Sequence, residues 1–320
     1  MRLLHTTFMT LSEFIGDSTP EYAILSHTWG EEEVLFLDII NRKGNGKAGY
    51  AKLEGCCKKA RDDGFEWVWI DTCCINKDSS AELSEAINSM FLWYKSATVC
   101  YAYLADISTS EAGLSDSEAL RLTQSRWFSR GWTLQELIAP PLVEFYSQEW
   151  VDIGTKTSLW LLISQKTGIP KDVLLTGNLS DCNAAAKMSW AASRVTTRSE
   201  DMAYCLLGIF DINMPMLYGE GDKAFARLQR EIIIQEIDYS IFVWSGLEHQ
   251  NKMGVLASSP SNFTLPLDLY DFHSSLPDHT SCILDYNDLV VVDPSGQELY
   301  KSAKEVVEPP MFTPRGLKMT

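Results

Sequence analysis

Ten residues, Trp67–Asn76 (WVWIDTCCIN), constrain the fold more than any other stretch of the chain. They open with Trp67, Val68, Trp69 and Ile70, a short apolar run of aromatic and β-branched residues that reads as a strand buried on both faces. The run stops abruptly at Asp71-Thr72. An amphipathic helix is predicted before it, over Lys52–Asp63, because Leu53, Cys56, Cys57 and Ala60 recur at helical spacing and Gly64 follows as a stop. A second is predicted after it, over about residues 80–96, where Leu83, Ile87, Met90, Phe91 and Tyr94 repeat at steps of three and four. Ser79 and Glu82 stand at capping-box spacing at its start. Tyr22–Leu25 and Thr98–Leu104 read as further strands, after a short first one at Arg2–Thr6. Strand, helix, strand, helix, strand in this order implies right-handed crossovers and a parallel sheet with flanking helices, an α/β fold.

Ligands of such sheets bind outside the carboxyl ends of the strands, which directs attention to the polar residues there. Ser26 and His27 follow the strand at 22–25, and Asp71 follows the strand at 67–70. The alternatives are structural: Asp71 bracing its own loop, His27 a satisfied buried histidine. Farther on, RWFSRGWTLQELIAPP (126–141) sets two tryptophans and two arginines around Gly131, and a short helix ends at Pro140-Pro141. Within it Glu136 lies three residues after Thr133, so its carboxylate has an ordinary role available as a helix cap. Leu142–Tyr146 is a further strand.

Composition excludes several classes of function. The 320 residues carry 27 basic and 43 acidic side chains, a net charge of −16, which argues against nucleic-acid binding through the phosphate backbone. The N-terminal residues have no sustained apolar core of a secretory signal, and no stretch reaches the ~18 apolar residues of a membrane span. A cytoplasmic location is expected. The eight cysteines, with vicinal pairs at Cys56-Cys57 and Cys73-Cys74, are then expected as free thiols. There is no CxxC and the five histidines are scattered, so no metal site is expected.

Three regions are expected: an α/β domain over 1–150, a helical region over 151–239 and a β-rich tail over 240–320 that looks incomplete. Helices are predicted at 156–166, 183–193, 199–209 and 222–235, and short strands at Ile241–Trp244, Cys282–Asp285 and Leu289–Val292. Residues 107–125 read as a polar surface loop and 257–281 as a Ser/Pro-rich one. The loop Pro215–Gly221 has two glycines before a helix but no Walker lysine pattern and no preceding strand, so it reads as a turn that docks the helix.

Three ordered blocks, YAILSHTWG (22–30), WIDTCCIN (69–76) with AELSEAINSMF (81–91), and RGWTLQELIAP (130–140), resemble the fungal HET (heterokaryon incompatibility) domain family. The similarity continues through 194–221 and 224–232 and fades after about Phe263. Lys77, where the family usually has glutamine, and Leu92, where it often has arginine, depart from the pattern. The resemblance implies a part in fungal non-self recognition and programmed cell death, with self-association for activation and an incompatibility partner protein as expected contacts. The family in turn resembles TIR (Toll/interleukin-1 receptor) domains, which implies a flavodoxin-like sheet and a glutamate in a W-x-x-x-E-L context, here Trp132, Glu136 and Leu137. Several TIR domains cleave NAD+ at the nicotinamide–ribose bond. By that resemblance Glu136 is the candidate catalytic residue, NAD+ a candidate substrate rather than a required cofactor, and the enzyme a NAD+ glycohydrolase. Ser26, His27 and Asp71 are candidates to hold ribose or phosphate oxygens, Trp29 or Trp132 to stack on a ring, and Arg130 to offset diphosphate charge. The plainer alternatives are an aromatic core for the tryptophans, a surface ion pair for Arg130, and, for the whole chain, a non-catalytic module that acts by recruiting partners.

Overall fold

The computed structural model describes residues 1–109, 121–235, 237–245 and 255–264, and the backbone of four short strands, Val290–Val292, Glu298–Lys301, Met311–Thr313 and Gly316–Lys318. Most of the polar loop expected at 107–125, most of that at 257–281 and the strand expected at Cys282–Asp285 lie outside the described residues. The chain divides into two compact units. One comprises Met1–Gly177, Arg194–Thr197 and Tyr204–Met216; the other comprises Asn178–Ser193, Arg198–Ala203 and Leu217–Thr320.

The first unit is built on a seven-stranded sheet. Its strands are β1 (Arg2–His5), β2 (Leu11–Glu13), β3 (Ala23–His27), β4 (Trp67–Trp69), β5 (Val99–Tyr103), β6 (Val143–Tyr146) and β7 (Asp152–Thr155). They lie in the order β2-β1-β4-β3-β5-β6-β7. The four central strands are mutually parallel, as expected. The flanks correct that expectation: β1 runs against β4, β2 against β1 and β7 against β6. The connections at 6–10 and 147–151 are too short for a crossover, so β2 and β7 can only turn back as hairpins. The α/β class holds, with a mixed rather than an all-parallel sheet.

In chain order the four parallel strands lie second, first, third, fourth, the order of flavodoxin-type sheets. The direction of winding reverses after β4. With right-handed crossovers this puts the helix Tyr50–Asp62 on one face and the helices Ser80–Ser96 and Thr133–Ile138 on the other. The side chains of β5 follow that division. The Cys100 thiol points to the Glu136 carbonyl, while the next residue, Tyr101, donates its hydroxyl to Asp63 at 2.5 Å. Both faces being covered, all five residues of β3 and of β5 are buried.

The predicted helices around β4 form as the periodicity requires. Ser79 caps the second by accepting from the Glu82 amide at 3.3 Å, but Glu82 does not close the box. Its carboxylate takes the Asn76 amide and the Arg2 guanidinium instead, which ties the helix start to β1. Ser80–Ser96 then packs on the 3-10 turn Leu207–Ile209 so closely that a Cβ on Gly208 would stand 2.0 Å from the Phe91 Cβ. Gly55 similarly admits the Trp150 indole, at 2.1 Å from where its Cβ would be. The seven described cysteines are buried, and Cys56, Cys57, Cys73, Cys74 and Cys100 are free thiols. Burial raises the Cys56 and Cys100 thiols and pushes Cys57 up to about 12; a hydrogen bond with Cys74, then burial, raises Cys73. They are packing groups, not nucleophiles.

In the second unit the helix Lys223–Gln235 buries Phe225, Leu228, Ile232 and Ile233, with Gln229 exchanging two 2.9 Å hydrogen bonds with the Ala257 backbone. The glycine loop before it is held by a carboxylate: Glu200 accepts from the Gly219 and Gly221 amides at 2.7 and 3.1 Å. The strand expected at Ile241–Trp244 is instead a 3-10 turn, Tyr239–Phe242. Asp238 accepts from the Ser240 amide there, and local side-chain capping overrides a short apolar run. No helix among the described residues is long and apolar enough to cross a membrane.

The Gly208–Phe91 approach leaves no room for a methyl group. Gly208→Ala is expected to lower unfolding free energy by ~1–3 kcal/mol through overpacking, read as a shift in the urea midpoint. An unchanged midpoint would show that the helix and the turn are not in contact.

Candidate functional site

The carboxyl end of β3 is where the predicted residues gather. Because successive strand residues face opposite sides, Ser26 and His27 diverge and seed two clusters. Ser26 is fully buried. Its hydroxyl accepts from the Trp127 indole N–H at 2.8 Å and donates to the Glu136 carboxylate. Glu136 sits in the helix Thr133–Ile138, all six residues of which are buried. The capping reading fails here: Thr133 is already inside the helix and turns its hydroxyl back to the Trp127 and Arg130 carbonyls, at 2.5 and 2.9 Å. The Glu136 carboxyl is thus free of its own helix end and points toward β3. Tyr94, from the helix Ser80–Ser96, stands beside it and donates its hydroxyl to the Leu25 carbonyl at 3.0 Å. Burial pushes the Glu136 carboxyl up to about 7, against the Arg130 charge and the Ser26 hydrogen bond.

The second cluster starts from His27. Its Nε2 lies 2.9 Å from Asp71 Oδ1, and Asp71 Oδ2 accepts from the Trp29 indole N–H at 2.9 Å. Asp71 begins the four-residue helix Asp71–Cys74 directly after β4, which is why an acid at that strand end meets the end of the neighbouring strand. Burial alone would raise the Asp71 carboxyl. The Lys77 charge, the His27 hydrogen bond and the Arg130 charge outweigh it and hold Asp71 well below the ordinary carboxylate range. Burial, and then the Lys52 charge, lower His27 despite Asp71. The imidazole is therefore neutral near pH 7, with Nε2–H donating to Asp71, and Nδ1 is a buried acceptor without a hydrogen-bond partner among the described residues. Lys52 is matched by Glu33 at 2.5 Å, and Glu33 also takes the Gly30 amide at 2.6 Å.

Arg130 joins the two clusters electrostatically, acting on both Glu136 and Asp71. It is not the surface ion pair that its charge suggested. Its guanidinium makes no ion pair among the described residues and lies over the Trp29 ring, 5.7 Å from the centroid. Trp29 is 39% exposed, so it is not a core tryptophan. Trp132 is half-buried at the start of the Glu136 helix and takes no part in the hydrogen bonds or ring contacts that join the other six predicted residues. Sequence reasoning missed Trp127, Tyr94 and Lys52 as partners of these groups. Tyr94 was visible only as one more apolar position of its helix. It also missed Lys156, which is 2% exposed and donates to the Leu137 and Pro140 carbonyls at 3.1 and 2.7 Å, capping the Glu136 helix from below. Burial lowers its ammonium to about 8.

Residues 22–122 match the family described as heterokaryon incompatibility protein (HET). That stretch of the chain is similar to the HET family. A curated relative, the vegetative incompatibility protein HET-E-1 of Podospora anserina, is 49% identical over 218 residues, covering 67% of this chain and 16% of that protein. The chain therefore spans less than a fifth of the relative's length. No solved structure matches the chain. The HET segment contributes Ser26, His27, Trp29, Asp71, Lys77 and Tyr94; Trp127, Arg130 and Glu136 lie beyond the matched residues and are brought in by the turn and helix before β6.

Two expectations follow from this site. The unfolded Glu136 carboxyl titrates near 4.5 and the folded one at about 7, so the native state holds the extra proton between those values. Its contribution to stability is full below about pH 4.5 and is lost as pH rises through about 7. Glu136→Gln removes that loss, so the variant gains on wild type between pH 5 and pH 8, by on the order of 1–3 kcal/mol in paired urea titrations. Parallel curves would place the carboxyl in contact with water. Lys156→Met should cost about 1–3 kcal/mol, because buried carbonyls lose their donor, and the loss should appear as a lowered urea midpoint.

Proposed function

We propose that this chain acts in incompatibility, heterokaryon incompatibility by the description of the matched family and vegetative incompatibility by the name of its relative, and that its α/β unit does so by cleaving NAD+ at the nicotinamide–ribose bond. One observation carries the enzymatic part: Glu136 does not cap its helix but presents a buried carboxyl, titrating at about 7, at the carboxyl end of the central parallel strands. The resemblance of Trp132, Glu136 and Leu137 to the TIR pattern supports the same assignment.

The chemistry asks for few groups. The C1′–N bond of the nicotinamide riboside breaks with its electron pair going to the ring nitrogen, so nicotinamide leaves neutral and needs no acid. The ribose gains oxocarbenium character, which an ionised Glu136 stabilises. Water adds to C1′ and gives up a proton, which a carboxylate titrating about neutrality accepts. The bare Nδ1 of His27 is an acceptor for a ribose hydroxyl. Self-association supplies the activating step, and an incompatibility partner protein the trigger.

A second reading is favoured by a separate observation. Glu136 is only 6% exposed, and Ser26 and Asp71 are each already hydrogen-bonded within the protein. Such a site suits an interaction module that kills by recruitment. Incubating the purified chain at high concentration with NAD+ and measuring nicotinamide by chromatography separates the two. The enzyme reading expects turnover that rises with pH through about 7, as Glu136 ionises, and falls at least ~100-fold in Glu136→Gln. Silence of the wild type, including in an artificially dimerised form, would transfer the function to the interaction module.

A further inference from the structure

Residues 28–35, which follow β3 and carry Trp29, form no strand or helix. They are held instead from the start of the helix Tyr50–Asp62. Lys47 donates to the Glu33 carbonyl at 3.1 Å, the Gly49 amide to the Glu32 carbonyl at 2.9 Å, and Lys52 to the Thr28 carbonyl at 3.4 Å. The approach is so close that a Cβ on Gly49 would stand 2.7 Å from the Glu32 oxygen. At its centre lies an ion pair, Lys52 Nζ to Glu33 Oε1 at 2.5 Å, with side chains only 11% and 6% exposed. The same Oε1 accepts from the Gly30 amide at 2.6 Å. Beyond this segment the Trp29 indole donates to Asp71 at 2.9 Å, and Asp71 holds His27. A buried ion pair adds little stability over well-packed apolar side chains of similar volume, so stability alone does not account for one here. What an apolar pair cannot do is hold the Thr28 carbonyl and the Gly30 N–H, the backbone groups on either side of Trp29.

We infer that Glu33 and Lys52 are positioning residues of the candidate site: their buried pair grips the backbone on both sides of Trp29 and so seats the indole on Asp71. Trp29 is more exposed than His27 or Asp71, so its seat decides how open those two groups are to a ligand. The pair also acts on His27 by charge. Burial lowers the imidazole most; of the pair, Lys52 lowers it and Glu33 raises it, while Asp71 raises it too. The inference rests on the reading of this edge as the functional site and is independent of NAD+ as its substrate.

Nuclear magnetic resonance of the full chain with labelled tryptophans tests it, the Trp29 indole signal being identified by its loss in Trp29→Phe. Lys52→Met leaves Glu33 buried without its cation. The Trp29 signal is expected to shift and its indole proton to exchange with water on the order of tenfold faster, with a lowered urea midpoint. Combining Lys52→Met with Glu33→Leu removes both charges. The midpoint is then expected to return toward wild type while Trp29 stays displaced, which a merely structural pair would not do. Lys52→Arg keeps the ion pair and should leave Trp29 in place, as should Lys58→Gln at an exposed lysine of the same helix. In Lys52→Met, His27 should titrate at a higher pH than in wild type, because a lowering charge is gone and Glu33 remains. If Lys52→Met does not fold, the double variant carries the comparison. A Trp29 signal unmoved in both variants, one that returns with the midpoint in the double variant, or a shift shared equally by all tryptophans would each overturn the inference. A displaced Trp29 with no NAD+ turnover by wild type would remove the glycohydrolase and leave the positioning role standing; turnover with Trp29 unmoved would do the reverse.

Discussion

A carboxyl group taken out of water must find donors or a proton, and Glu136 finds both within a chain of hydrogen bonds that runs through the middle of the first unit. Ser26 links it to β3, and through Ser26 the Trp127 indole links it to the turn before its own helix, while Tyr94 ties the helix Ser80–Ser96 to β3 beside it by donating to the Leu25 carbonyl. Three stretches far apart in sequence are registered against one another by groups that each would be costly to bury alone. The short helix that carries Glu136 has little intrinsic stability of its own at six residues, and it is held by its surroundings. Lys156 takes its last carbonyls, and Arg194 donates to the Arg130 carbonyl and the Thr133 hydroxyl at its start.

The strand order then determines what meets at that point. β3 is flanked by β4 and β5 because the winding reverses after β4, so its carboxyl end faces groups from both crossovers. Alternation sends Ser26 to the Glu136 side and His27 toward Asp71 and Lys52, which separates a nearly neutral carboxyl from a strongly ionised one. The two acids differ through their neighbours. Asp71 has the Lys77 charge and the His27 hydrogen bond close by, while burial dominates at Glu136 and Arg130 offsets it only in part. One edge of one sheet thereby holds two acids of different proton affinity with Lys77 and Arg130 beside them.

The HET-family match ends at residue 122, before the second half of this arrangement is complete. The matched residues at the ends of β3 and β4 hold only part of the arrangement: Ser26 lacks its acid and Asp71 lacks Arg130. The turn and helix of 126–138 supply both, which is why the relative at 49% identity over 218 residues, a longer match than the family segment, is the more informative of the two comparisons.

Much of the architecture was legible before any coordinates. The helices around β4 and the parallel core follow from periodicity, which reports which face a residue buries. The strand ends that carry Ser26, His27 and Asp71 follow from where apolar runs stop. The antiparallel flanks, the 3-10 turn at Tyr239–Phe242 and the helix Lys171–Thr176 were not legible, because short elements take their form from neighbours and local hydrogen bonds rather than from a repeat. The same limit applied at the site. Spacing alone left Glu136 as a cap of Thr133, and residue type alone left Arg130 as a surface ion pair. Sequence determined that these groups exist and on which elements they ride. Only the tertiary structure decided that Glu136 turns away from its own helix toward Ser26 and that Lys77 and Arg130 share one indole, since burial, proton affinity and charge pairing are properties of the space around a side chain and not of its position in the chain.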